Sequence, residues 1–570
     1  MNVRFSPSIS VAGALTAVMH LTRAAEVVEI PGYLYSVTAE SASSRLLVPA
    51  ISPLPMPALP NNTDVAATWR YHNGTKHSYQ SVRTNPHYLD WSNRPLPFKI
   101  YPTMDPIRLP KEVPQTGMAA LSMIAENVRA DQAKLPTLND LVLLLYFSAG
   151  ITRRKTYPGG EIFMRAAACT GALYEMELYL ICGDLPELEA GVYQFAPAEF
   201  GLRKLRAGDF RGVLVDASGA HPAVQRAPLT VICSGTYWRN AWKYQARTYR
   251  HFGWDNGTIL ANLLAMCTAT QLPATVVTGF ADDVLNRLLD LDPDHEVAFS
   301  MVTLGATSGP RIAPAPAVEP LHLGTVPLSD HEVDYPAMRA IHAASSLATG
   351  EEVRAWRERR TPSDAVEPQG PTIALQPATE EEISRDAIER VILRRGSTRQ
   401  FAREPIALAQ LSTMLERSTR GFHADFHDPS GAQLNHMYVL VNAVEGLLPG
   451  AYYFHRDRRE LELLKEGDFR RQAGYLGLEQ DLPADASANV FFLADLNAIL
   501  ERYGNRGYRA TQLEAGILGG RLYLAAYAQH LGASGLTFYD DDVVNLFSPH
   551  AAGKSAIFLT CLGKSALRKQ

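Results

Sequence analysis

Cysteine is scarce in this chain. Five residues in 570 (Cys169, Cys182, Cys233, Cys267 and Cys561) form no CxxC pair, no cluster and no even set. That pattern argues against a disulfide scaffold or a cysteine-rich metal centre, and a reduced, cytoplasmic setting is expected. A basic excess is missing too: 54 Lys and Arg face 59 Asp and Glu, a net charge of −5, so a general nucleic-acid binder is not expected. No apolar run reaches the ~18–20 residues that cross a bilayer, so no membrane partner is expected. No GxGxxG falls between a strand and a helix, which removes the usual sign of a separate dinucleotide fold. The first sixty residues carry only six charges, and around the apolar stretch from Val11 to Met19 only Arg4 and the pair Ala24-Ala25 stand for the basic start and cleavage site that a secretory signal wants. Residues 1–66 are read as a partly ordered extension, with Pro53 to Pro60 as a linker.

What is present is an ordinary globular mix, 46% hydrophobic and 20% charged, long enough for two to four domains at ~100–200 residues each. Ten of the 37 prolines lie between Pro310 and Pro377. Proline fixes φ and removes a donor, so residues 308–379 read as a linker, interrupted by one helical stretch near Tyr335 to Glu358. The linker separates two copies of one design. Gly191-Val192-Tyr193 and Gly208-Asp209-Phe210-Arg211 recur 259 residues later as Gly450-Ala451-Tyr452 and Gly467-Asp468-Phe469-Arg470. The same offset carries Arg247 and Tyr249-Arg250 onto Arg506 and Tyr508-Arg509, and Asp282-Asp283-Val284 onto Asp541-Asp542-Val543. A period this long is a tandem domain duplication, with copies over 67–307 and 380–566. Strand signals at Leu178–Ile181, Tyr438–Val441, Phe299–Leu304 and Ile557–Leu562, and a helical period over Ala510–Leu531, predict an α+β (α/β sandwich) unit used twice. Two such copies can keep a two-fold dimer interface inside one chain, giving an intramolecular pseudo-dimer.

The sharpest local motif is Arg394-Arg395-Gly396-Ser397-Thr398-Arg399, three cations and two hydroxyls in six residues after an amphipathic helix. Guanidinium forks and a hydroxyl donor suit a phosphate monoester, although a basic helix end is also an ordinary solvated surface. About thirty residues on, Asp428-Pro429-Ser430-Gly431-Ala432-Gln433-Leu434-Asn435 precedes a buried strand, a small-residue turn that lets backbone approach a flat ligand. Together these resemble the nitroreductase superfamily of FMN proteins, whose pattern is R-x-S-x-R/K-x-F, then P-S-x-x-N-x-Q, then a basic residue after the last strand. Arg395, Ser397, Arg399 and Phe401 match the first element; Pro429, Ser430, Gln433 and Asn435 approximate the second; Lys564 is the candidate for the third. In the first copy, Tyr71-His72-Asn73-Gly74-Thr75-Lys76, Leu89-Asp90-Trp91 and Ala168-Cys169-Thr170-Gly171-Ala172-Leu173-Tyr174 resemble the SagB/ThcOx-type dehydrogenases, some of which are tandem.

The resemblance implies FMN as cofactor and the oxidation of thiazolines or oxazolines in a peptide or natural-product precursor. It also implies partner biosynthetic enzymes and a catalytic Lys-Tyr pair, matched by Lys243 and Tyr244. A lysine near pKa ~10.4 or a tyrosine near ~10 is a poor base unless its surroundings lower it, and Arg247 and Arg250 are the expected source of that field. Lys76, His77, Ser78 and Gln80 are taken to stand where Arg395, Gly396, Ser397 and Arg399 do, which makes the residues between Ser78 and Leu135 an insertion. In a superfamily dimer the phosphate cluster and the turn come from different subunits. By charge count the second copy offers the better phosphate site, so one FMN per chain is expected; the cofactor-binding candidates are Arg395, Ser397, Arg399 and Lys564 with Cys169, Thr170 and Ala172, and Ser430 and Gln433 in the equivalent turn of the other copy. An NAD(P)H-dependent nitro, quinone or enone reductase and a flavin-less scaffold are the alternatives. No metal is expected: Asp540-Asp541-Asp542 reads as a helix N-terminus.

Overall fold

The computed structural model describes residues 27–30, 33–36, 61–129, 132–157, 160–308, 312–359, 366–427 and 433–566. The stretches Val11–Met19 and Pro53–Pro60, and the residues Pro429 and Ser430, lie outside the described residues. Each copy builds one seven-stranded sheet. The centre of the first runs Glu296–Leu304, Leu229–Thr236, Met176–Cys182, Gly191–Ala196, Gly201–Ala207, and the centre of the second runs Ser555–Gly563, Ala488–Ala494, His436–Val441, Gly450–His455, Glu460–Glu466. Neighbouring strands in both are antiparallel, so helices segregate to the faces and the class is α+β. The four strands read from the sequence are all present, each extended by one to three residues, and the long helix spans Asn505–Ala528.

The copies meet along two long helices, Thr248–Ala269 and Asn505–Ala528. A Cβ at Gly257 would lie 2.4 Å from the backbone of Gly516, and one at Gly516 would lie 2.6 Å from the carbonyl of Gly253. Only glycine allows backbones this close, and both glycines sit at the same place in their repeat. Around this crossing the ion pairs are reciprocal. Arg247 and Arg250 grip Asp540 (3.1 and 2.6 Å), and Arg506 and Arg509 grip Asp282 (2.6 and 2.7 Å). That exchange is the isologous signature of a two-fold interface, here within one polypeptide.

The pairs correct the repeat register. Asp282 corresponds to Asp540, one residue short of the sequence offset, and both open eight-residue helices. They also relocate the start of the second copy. The His77 carbonyl accepts from the Asp540 amide and the His77 amide donates to the Asp540 carboxylate, as Leu347 does with Asp282. Tyr508 Oη meets His72 Nδ1 at 3.2 Å, and Tyr249 Oη meets His342 Nδ1 at 3.2 Å. The helix Ala66–Gly74 therefore matches Pro336–Ala344, inside the Pro-rich region, and Lys76 matches Ser346 rather than Arg395. The bridge between Phe401 and Ser565 is mirrored by Lys134 with Ala306. The residues between Ser78 and Leu135 are thus not an insertion, since the second copy carries a counterpart between Leu347 and Phe401, edge strand included.

The helical stretch expected in the linker is two helices, Pro336–Ala344 and Gly350–Arg357, separated by the Thr349 cap. The second shows Glu351, Arg354 and Glu358 to solvent but buries Val353 and Trp356, whose indole donates to the Tyr503 carbonyl at 2.9 Å.

Burial also sets a pH dependence. It holds His72, His251 and His342 well below the usual imidazole range, and His77 and His436 down to about 3. In the unfolded chain these rings titrate near ~6.5. Their contribution is complete above that value and is lost as the pH falls from there toward about 3, because only the unfolded state takes the protons. Asp255, raised by burial, acts in the opposite direction but is a single group against five. The urea midpoint is expected to drop steadily below about pH 6.5; a flat midpoint from there to pH 4.5 would sink this account.

Candidate active site

Residues that are far apart in the chain come together where the two copies meet. From the first copy comes the turn after Ala166, where Cys169–Tyr174 precedes the central strand Met176–Cys182. Gly171 (φ +64°), Ala172 and Tyr174 (both φ +54°) adopt the left-handed region, so the turn is tightly wound. A Cβ at Gly171 would come 2.8 Å from the Tyr244 hydroxyl, which fixes Tyr244 against the turn. Tyr244 ends the helix Tyr237–Tyr244, and Lys243 lies beside it with its ammonium 5.3 Å from the Tyr244 ring.

From the second copy comes the basic run after the helix Ile388–Arg394. Arg395 reaches across the interface and donates to the Ala166 carbonyl from Nε (3.0 Å) and Nη2 (2.8 Å). Ser397 Oγ has one long contact, 3.4 Å to the Tyr523 hydroxyl, and Gly396 faces open space apart from the Tyr527 hydroxyl. Arg399 is exposed with no ion-pair partner among the described residues, and its charge acts on both Lys243 and Tyr244. Lys564 lies after the last strand and pairs with Glu404 at 3.2 Å. Gln433 donates to the Thr419 carbonyl in the other turn, away from this site.

The electrostatics separate the roles of the pair. Burial, and then Arg399, lower Lys243 below the ordinary lysine range, whereas burial beside Asp255 pushes Tyr244 up. Lys243 is the group of the two suited to accept a proton, and Tyr244 is held as a neutral hydroxyl. The expected field from Arg247 and Arg250 is absent because both are committed to Asp540. Under the turn, Asp255 on the long helix accepts from the Thr170 amide (2.9 Å), the Thr170 hydroxyl (2.9 Å) and Cys169 Sγ (3.3 Å). Burial and two neighbouring carboxylates, Asp255 and Glu175, raise the Cys169 thiol well above its usual value, so it is no nucleophile. Cys169, Glu175 and Asp255 have ligand-type atoms within 4.8 Å of one another, and the single Cys169 S–H lies within reach of both carboxylates, 3.4 Å from Glu175 and 3.3 Å from Asp255. Sequence reasoning missed Asp255 and its counterpart Glu514, which accepts from the Leu434 and Asn435 amides; they stand at the 259-residue offset and could have been found by extending it.

The family model described as the nitroreductase family matches residues 160–306 and 392–561, one segment in each copy. The chain belongs to the nitroreductase family. Its members are generally oxidoreductases and typically bind flavin. A crystal structure of an Anabaena variabilis protein classed as a nitroreductase superposes with a TM-score of 0.71 at 26% identity, covering 88% of this chain and 99% of that one. The family likeness therefore embraces the tandem arrangement as a whole. A Methanocaldococcus jannaschii protein classed as a nitroreductase is 27% identical over 180 residues, 30% of this chain and 89% of its own length. The trifolitoxin-processing protein TfxB of Rhizobium leguminosarum bv. trifolii is 27% identical over 201 residues, 34% of this chain and 54% of TfxB. Among the described residues, no helix is long and apolar enough to cross a membrane.

Proposed function

We propose that this nitroreductase-family protein is an FMN-dependent dehydrogenase that oxidises a thiazoline- or oxazoline-type ring in a peptide or natural-product precursor. The observation that carries the reading is that Lys243 and Tyr244 of one copy, beside the Cys169–Tyr174 turn, lie within the field of Arg399 of the other. The donor set suits a phosphate monoester: an unpaired exposed guanidinium, a hydroxyl without a short partner, open space at Gly396 and the Lys564 ammonium. Ser397, Arg399 and Lys564 would hold the phosphate, and Cys169, Thr170 and Ala172 would lie along the ring system. Arg395 donates twice to the Ala166 carbonyl and so straps the turn in place. Bound FMN would supply a two-electron acceptor for a hydride leaving the substrate ring. Lys243 removes the ring proton and the Tyr244 hydroxyl orients the substrate heteroatom. The name of TfxB supports a processing role.

The test is flavin content. Purified protein is expected to show a flavin band that released cofactor identifies as FMN. Replacing Arg399 with alanine is expected to weaken FMN binding by about tenfold or more, as loss of one charge-assisted phosphate contact would. A chain that neither carries flavin nor takes it up would remove this reading and leave the scaffold alternative.

A further inference from the structure

The pseudo-two-fold axis that places the site also defines a second, related location, and there the chain has put part of itself. At the first site, the end of the edge strand Gly532–Leu536 runs beside the basic motif: Tyr523 Oη contacts Ser397 and also accepts from the Gly535 amide. The counterpart strand in the first copy is Ala274–Val277, followed by Thr278 and Gly279. Against it lies the segment His423–His427 of the second copy. Val276 donates to the His423 carbonyl at 2.8 Å, and Asp425 donates back to the Val276 carbonyl at 3.1 Å. The Asp425 carboxylate accepts from the Thr278 amide (2.9 Å), the Thr278 hydroxyl (3.1 Å) and the Gly279 amide (2.7 Å).

We infer that the second pseudo-symmetric flavin location is permanently closed by this segment, with Asp425 as an internal ligand, so that the protein holds one flavin only. The inference takes the first location from the functional proposal above. The plug is packed rather than draped. Phe422, Phe426 and Trp356 are buried, and His427 lies 4.7 Å from both phenyl rings. The Trp356 ring sits 2.9 Å from where a Gly279 Cβ would be. Tyr503, the counterpart of Tyr244, donates its hydroxyl to the Phe426 carbonyl at 3.4 Å. Arg521 ties the start of the segment through the Arg420 carbonyl at 2.8 Å. The first copy avoids the same closure because its corresponding stretch leaves as the hairpin Ile151–Tyr157 and Gly160–Arg165. The closed location also differs in its charges: Arg502 replaces Lys243, and Gly305 stands where Lys564 does.

Two readouts on the full chain decide this. With excess FMN followed by desalting, released flavin is expected at one equivalent per chain. By hydrogen-exchange mass spectrometry, peptides covering 273–281 and 422–427 are expected to be strongly protected before any FMN is added and unchanged afterwards. Asp425→Ala is expected to speed exchange in both peptides without adding a second equivalent. Two equivalents, fast exchange in the unliganded wild type, or new protection at 273–281 on adding FMN would each overturn the inference. If no flavin binds at all, the functional proposal fails, and the exchange of the unliganded wild type still decides whether the plug exists.

Discussion

Replacing Lys243 with methionine is expected to lower turnover by about 10²–10⁴-fold, the usual contribution of a positioned acid or base, while flavin content stays unchanged. Methionine keeps the length and apolar stem of the side chain, so the helix Tyr237–Tyr244 has no reason to shift. Tyr244→Phe is expected to cost less, because a hydroxyl pushed up by burial serves as a donor rather than a base. The pH profile gives the sign. A base must be deprotonated, so the rate should rise with pH through the value of Lys243, which burial and Arg399 place below that of an ordinary lysine. A Lys243→Met protein with wild-type turnover would remove the lysine from the mechanism and return the pair to packing.

The largest effect on stability is expected at Asp540. Its carboxylate is fully buried, is shared by Arg247 and Arg250, and is held below the usual carboxylate range despite burial. Asp540→Asn leaves two buried guanidinium groups without a counter-charge, a loss on the order of 3–5 kcal/mol. Asp282→Asn is expected to cost a similar amount, since the arrangement is mirrored at Arg506 and Arg509. Asp541→Asn is the control: Asp541 is 70% exposed, pairs among the described residues only with Lys76, and should change the urea midpoint little. Equal effects at Asp540 and Asp541 would refute the reciprocal clamp. The clamp's own pH dependence lies low. Because the native values are depressed, its contribution is complete above about pH 4 and declines only as the pH falls further.

The duplication was legible because strands and the long helices preserve spacing, and spacing survives when residue identity does not. The motif comparison failed at Lys76–Gln80 for a physical reason. A basic residue followed by a hydroxyl two positions later resembles the Arg395–Ser397 pattern, but register is set by backbone pairing with the opposite copy, as at His77 with Asp540. Nothing local encodes that pairing. The equivalence of the helix Pro336–Ala344 to Ala66–Gly74 was hidden similarly, since it rests on His342 and a few small residues amid prolines. At the site, the residue types were readable but their geometry was not. Arg399 and Lys243 are 156 positions apart, and only the two-fold crossing brings the charge of one to the other. Asp425 gave no signal, as its role comes from amides in the other copy.

The Gly257–Gly516 crossing has a consequence for how this molecule behaves on dilution. A two-chain assembly of the same shape separates when the concentration falls below its dissociation constant, and its melting temperature follows the protein concentration. Here both halves of the crossing belong to one polypeptide, so their meeting is intramolecular, with an effective concentration set by the connecting chain. Thermal midpoints should therefore be the same at nanomolar and micromolar protein. The fusion also lets each half change independently, because a substitution is made once per particle rather than twice. One site can then keep its chemistry while its twin is given over to packing.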